Sequence, residues 1–75
     1  MSRNLPSLKS SELIKALGKA GWQPDRQTGS HIILVKDGAE RPIPVPSHHK
    51  TLKNTLRDAI IKQAGLTRED FIKLL

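Results

Sequence analysis

At 75 residues the chain is too short for a second core, and a chain of this size hides only roughly 60% of the surface it exposes when unfolded. The absence of cysteine excludes a disulfide framework and a thiolate metal site, and fits a reducing cytoplasm. Thirteen Lys and Arg against seven Asp and Glu leave a net charge of +6, which suits a polyanion or an acidic protein partner. Trp22 and Phe71 are the sole aromatics, so stacking platforms for single-stranded bases are not expected to dominate recognition. No apolar run approaches the roughly 20 residues of a membrane span, and no signal-peptide core is evident, so no membrane role is expected.

Residues 1–9, with Asn4, Pro6 and two serines, read as a flexible lead-in to a domain spanning 10–75. Ser10 or Ser11 can cap a first helix, and Glu12 complements its dipole. Leu13, Ile14, Leu17 and Ala20 share one helical face, Lys15 and Lys19 lie opposite, and Gly21 ends the helix. Trp22 to Thr28 is a first strand, kept short or at an edge by Pro24, with Trp22 expected in the core. Thr28-Gly29-Ser30 turns the chain into a second strand, His31 to Lys36. Asp37-Gly38 is the strongest hairpin signal and suits a primed turn. The return strand, about Glu40 to Val45, carries Pro42, Pro44 and Pro46 along or just beyond it and should pair on one side only.

A polar connector, Pro46 to Lys50, leads to a second helix from about Thr55 to Ala64. Thr55 with Asp58 has capping-box spacing, Asn54 competes as cap, and Leu56, Ala59, Ile60 and Ala64 form its apolar stripe. Gly65-Leu66 stops it in Schellman fashion, and Thr67 to Asp70 caps a short last helix bearing Phe71, Leu74 and Leu75. The fold class is therefore α+β, a single αβββα domain. Its antiparallel three-stranded sheet has helices packed on one face, with a short extra C-terminal helix.

His31 stands out along this chain. A Gly-Ser turn delivers it into Ile32-Ile33-Leu34-Val35, three of them β-branched, the composition of a well-buried strand. Period-two alternation puts His31, Ile33 and Val35 on one face, Ile32 and Leu34 on the other. Both faces are apolar, and helices cover only one well, so another chain is expected over part of the His31 face. Imidazole is the side chain suited to moving protons near neutral pH, and a fixed one beside a basic surface suits a phosphodiester. RNA needs no cofactor for cleavage, because its 2′-hydroxyl is an internal nucleophile. The bland alternative for His31 is a strand-end histidine bonded to a backbone carbonyl.

The chain resembles the HicA-type mRNA interferase toxins of toxin–antitoxin pairs. The resemblance runs from Ser10 to Leu75. It rests on Ser11-Glu12-Leu13-Ile14, Gly21-Trp22, Gly29-Ser30-His31, Val45-Pro46, His48, Lys50, Thr55-Leu56-Arg57 and Gln63-Ala64-Gly65-Leu66 before Phe71. It implies a fold like a double-stranded-RNA-binding domain, RNA cleavage without metal or small-molecule cofactor, and silencing by a HicB-type antitoxin. It assigns catalysis to His31, presented by Gly29 and Ser30. Many relatives have glycine where this chain has Asn54, and often a large aromatic where it has Ile33 and Leu34. Lys50, Lys53, Arg57 and His48 are the expected RNA contacts, and His48 is also the first candidate for a second proton transfer. A solvated helix face is nearly as good an account of those cations. A zinc site from His31, His48 and His49 is arithmetically possible, but adjacent histidines without a third regularly spaced ligand make a poor site. The other readings are a non-catalytic RNA-binding module of the same fold and an inactive antitoxin-bound adaptor; the need for His31 separates catalysis from binding.

Overall fold

Apolar spacing places the first helix, α1, over Ser10–Lys19, burying Leu13, Ala16 and Leu17 while Ile14 and Ala20 pack half-buried beside them. The computed structural model describes residues 5–47 and 50–75. The cap of α1 differs from the serine expected. Lys9 takes the cap position, and its backbone N–H donates to the Glu12 carboxylate at 3.0 Å. The Ser10 hydroxyl instead donates to the Pro46 carbonyl, tying α1 to the far end of the sheet.

The strands are β1 (Gln23–Thr28), β2 (His31–Val35) and β3 (Ile43–Pro46), antiparallel in that spatial order. Trp22 lies just before β1 and is buried in the core. β3 pairs with β2 alone, as its prolines require: Pro44 and Pro46, two apart, turn their missing donors to the unpaired side. It begins later than expected, because the β2–β3 connection is a loop and not a tight hairpin. Ala39 N–H bonds the Lys36 carbonyl at 3.0 Å, and Gly38 has a φ of +86° while no non-glycine residue has a positive φ among those described. That is a type II turn, which needs its glycine third, rather than the primed turn read from Asp37-Gly38. β1, at the other edge, carries a bulge between Pro24 and Arg26.

Helices cover one face of this sheet. Leu34, Ile43 and Val45 point into a core shared with Leu13, Leu17 and Trp22. The second helix, α2 (Asn54–Gln63), starts one residue before the expected Thr55, with Lys53 at its cap and no side-chain cap bond. Its inward face is Arg57, Ile60 and Ile61, while Leu56 is 37% exposed and Ala59 is exposed. The helix is therefore rotated from the stripe expected of Leu56, Ala59 and Ile60. The spacing 57, 60, 61, 64 is equally helical, but a charged residue at its first position hides it. Leu66 N–H reaches the Ile61 carbonyl at 3.2 Å, the long bond of a Schellman stop.

The short α3 (Arg68–Ile72) opens with the expected capping box. Thr67 Oγ1 accepts from Asp70 N–H at 3.0 Å, and the Asp70 carboxylate accepts from Thr67 N–H at 3.1 Å. Bonds from the Thr67 backbone and side chain, helped by Lys73, hold the Asp70 carboxyl below its usual range. Phe71 is fully buried behind this cap.

Residues 5–9 are not the flexible lead-in expected of 1–9. Leu8 is a core residue, Leu52 N–H bonds its carbonyl at 2.7 Å, and Lys9 bridges Thr51. Burial of Leu8 and half-burial of Leu5 give the segment apolar reason to dock; residues 1–4 lie outside the described residues. Among the described residues no helix is long and apolar enough to cross a membrane.

The rotation of α2 is directly testable. Ile61→Ala should cost about 2–5 kcal/mol, the range for truncating a buried aliphatic. Leu56→Ala should change stability by no more than about 0.5 kcal/mol. Urea unfolding of both variants measures the contrast, and equal losses would restore the original stripe.

Candidate functional site around His31

His31 opens β2 at the tip of the only two-residue hairpin among the described residues, with Thr28 and Pro46 as its register partners. Gly29 has a φ of +56° and Ser30 does not have a positive φ, which is the signature of a type II′ turn with glycine at its first central position. Two further bonds hold the turn. The Gln27 side-chain amide donates to the Gly29 carbonyl at 3.3 Å, and Ser47 N–H donates to the Ser30 carbonyl at 2.6 Å. The turn leading into His31 is thus held from the β1 side by Gln27 and from the β3 side by Ser47. Gln27 and Ser47 carry no motif, and strand register is what assigns them this role.

The His31 side chain is exposed. Alternation sets it on the face of β2 that the helices leave open, together with Ile33 and Val35. Val35 is 38% exposed. Ile33 is buried yet stands outside the helix-side core, lying in register between Arg26 on β1 and Pro44 on β3. An imidazole thus sits beside a small aliphatic strip on a rigid sheet. Pro46 leads through Ser47 into the connector, so the chain passes from beside His31 toward the start of α2.

The expected cations separate into two kinds. Lys50 and Lys53 are exposed ahead of α2, Lys53 at its cap position. Arg57 is 3% exposed and is not offered to a polyanion. Its Nη1 donates to the carbonyls of Leu5 and Pro6 at 3.2 and 2.9 Å and to Asn54 Oδ1 at 3.2 Å. Its Nη2 and Nε meet the Asp58 carboxylate at 2.9 and 3.0 Å. A guanidinium with this many partners is a clamp holding the N-terminal segment against α2, which corrects its place among the RNA contacts. Asn54, expected as a cap, accepts from this clamp instead.

His48 and His49 lie outside the described residues. Among the described residues no three His, Cys, Asp or Glu side chains gather as metal ligands, and Asp25 and Asp58 are engaged by arginines.

A family model described as the HicA toxin of bacterial toxin–antitoxin pairs matches residues 10–66. A chain of a toxin–antitoxin complex from Streptococcus pneumoniae has the same fold at a TM-score of 0.65 and 42% identity, covering 75% of this chain and 93% of that one. No curated protein matches the chain. A small α+β protein with this open antiparallel sheet and this kinship is the toxin of a toxin–antitoxin system. The chain belongs to the HicA toxin family.

The clamp predicts a stability loss. Arg57→Leu leaves the Leu5 and Pro6 carbonyls without their donor and should cost about 1–3 kcal/mol in urea unfolding. Arg57→Lys should recover little of it, because an ammonium cannot span partners arranged for a planar fork. Full stability in both variants would show the clamp to be idle.

Proposed function

We infer that this toxin is a metal-independent endoribonuclease acting on mRNA, with His31 as its catalytic residue. The observation that carries the reading is an exposed imidazole on the uncovered sheet face, presented by a type II′ turn whose backbone Gln27 and Ser47 hold. Family membership and the net charge of +6 support it. In the reaction the 2′-hydroxyl attacks its own phosphate, the 2′-oxygen–phosphorus bond forms and the bond from phosphorus to the 5′-oxygen breaks. One proton leaves the 2′-hydroxyl and one reaches the departing 5′-oxygen. His31 serves as the base or the acid, and His48 is the first candidate for the other transfer. Lys50 and Lys53 hold phosphate charge near the start of α2, where helix dipole and cations act together.

The same face accounts for silencing. A HicB-type antitoxin covering His31, Ile33, Val35 and Lys50 would bury the exposed Val35 and oppose the basic surface, which speeds association and sets orientation. The related Streptococcus pneumoniae protein is known as part of a toxin–antitoxin complex. Inhibition is then occlusion of the imidazole from RNA.

His31→Ala should lower RNA cleavage by about 10²-fold or more while the protein still folds, since an exposed side chain is lost. Chelators should leave wild-type cleavage unchanged, and the products should carry 2′,3′-cyclic phosphate and 5′-hydroxyl ends. Full cleavage by folded His31→Ala protein would exclude the catalytic role. RNA binding without cleavage by the wild type would favour the non-catalytic module.

The antitoxin surface has its own test. Val35→Asp should weaken the complex with a co-expressed HicB-type antitoxin by about tenfold, equivalent to about 1.4 kcal/mol. Unchanged affinity by titration would move the interface off this face.

A further inference from the structure

On the opposite side of the sheet end from His31 lies a groove of about 820 Å³ between α1 and the β1 edge. It falls within the range of ligand-binding clefts. Its floor is aliphatic: Ile14 of α1, Pro24 of β1 and Ile32 of β2. Ile14 and Ile32 pack on the core below, so the floor is firm. Lys9 and Lys15 stand on its α1 wall, and neither is in an ion pair among the described residues. The acidic side chain that lines it, Asp25, is already met by Arg26 at 2.7 Å, and Glu12, outside the lining, accepts from the Lys9 N–H. The β1 bulge at Asp25 lies along this groove, and α1 is the helix that lines it among the described residues.

Two residues that line the groove also hold the histidine turn. Ser47, at its end, holds the Ser30 carbonyl, and Gln27, on its wall, holds the Gly29 carbonyl. Ile32 of the floor is the residue after His31. A chain bound in the groove therefore reaches the end of the sheet at the turn that presents His31.

We propose that this groove is a nucleotide subsite for single-stranded RNA, holding a base on Ile14, Pro24 and Ile32 and its phosphates on Lys9 and Lys15. The proposal rests on the ribonuclease reading and adds to it a path for substrate. The bound nucleotide is a neighbour of the cleaved one, because groove and imidazole lie on opposite faces at the sheet end. An apolar floor with cations along one wall matches a nucleotide, apolar in its base faces and anionic in its backbone. Contact through aliphatic side chains explains how a chain with so few aromatics can hold single-stranded RNA. An acidic protein segment is the competing occupant. Gln27 and Ser47, which line the groove and hold the Gly29-Ser30 turn, set a nucleotide bound here close to the proposed reaction, and this favours RNA.

The test is binding of a 2′-O-methyl uridine hexamer, which lacks the attacking hydroxyl and cannot be cleaved by internal attack. The Lys9→Ala/Lys15→Ala protein should bind about 25-fold more weakly at 0.1 M salt, two contacts at a salt slope of about 0.7 each over one decade. Its salt slope should fall by about 1.4. The control pair Lys19→Ala/Lys73→Ala removes the same charge elsewhere on the surface and should change affinity by less than about threefold, as screening at this salt predicts. The Ile14 and Ile32 methyl resonances should shift on titration. Equal losses in both pairs, or silent methyls, would overturn the subsite even if RNA cleavage through His31 stands. Loss of antitoxin binding with hexamer binding untouched would assign the groove to the protein partner and equally overturn it. Groove-dependent binding by a wild type that cleaves no RNA would uphold the subsite and defeat the ribonuclease reading.

Discussion

A β-strand sends successive side chains to opposite faces, and in β2 this alternation carries the organisation of the whole molecule. Leu34 turns inward into the core shared with α1, β3 and α2, Ile32 packs half-buried against it, and this core is small for any folded domain. His31, Ile33 and Val35 turn outward onto a face no helix covers. One residue of slip would exchange the two sets, burying an imidazole and exposing Leu34. The apolar demand of the core therefore fixes the register, and the register fixes where His31 points. Stability and the proposed chemistry depend on one constraint.

The ends of β2 and β3 are secured by polar bonds rather than by more core. The Ser30–Ser47 backbone bond, the Ser10 hydroxyl on the Pro46 carbonyl and the Gln27 amide on Gly29 all gather at the sheet end that bears His31. A group that transfers protons must be held within small tolerances, and rigid elements achieve this better than loops. The prolines of β3 add stiffness and block a further strand at that edge. Arg57 draws Leu5, Pro6 and Asn54 together and docks the N-terminal segment beside α2. Its cationic charge serves the fold.

Much of this was legible in the order of residues. Apolar spacing at 13, 14 and 17, the aliphatic run after His31, the prolines of the return strand and the Thr67–Asp70 box each act through neighbours in the chain, and each element formed where those signals lie. The Gly29-Ser30-His31 series marked the candidate site through local turn chemistry and family resemblance. Three misread features share a cause: each depends on a partner distant in sequence. Arg57 reads as a surface cation until Leu5 and Pro6 lie beside it. Ser10 reads as a cap until Pro46 draws its hydroxyl away. Leu56 and Ile61 could each complete a helical stripe, and only packing against the sheet decided between them.

The sequence by itself determined the α+β class, the approximate place of each element and the identity of the histidine, because periodicity, turn residues and caps are set by interactions within a few residues. Tertiary structure alone decided which face of β2 stays open, which cations face solvent and that a groove lies beneath α1 next to the histidine turn. Those outcomes depend on which distant groups meet, since burial and long-range hydrogen bonds are properties of the assembled layers and not of any segment.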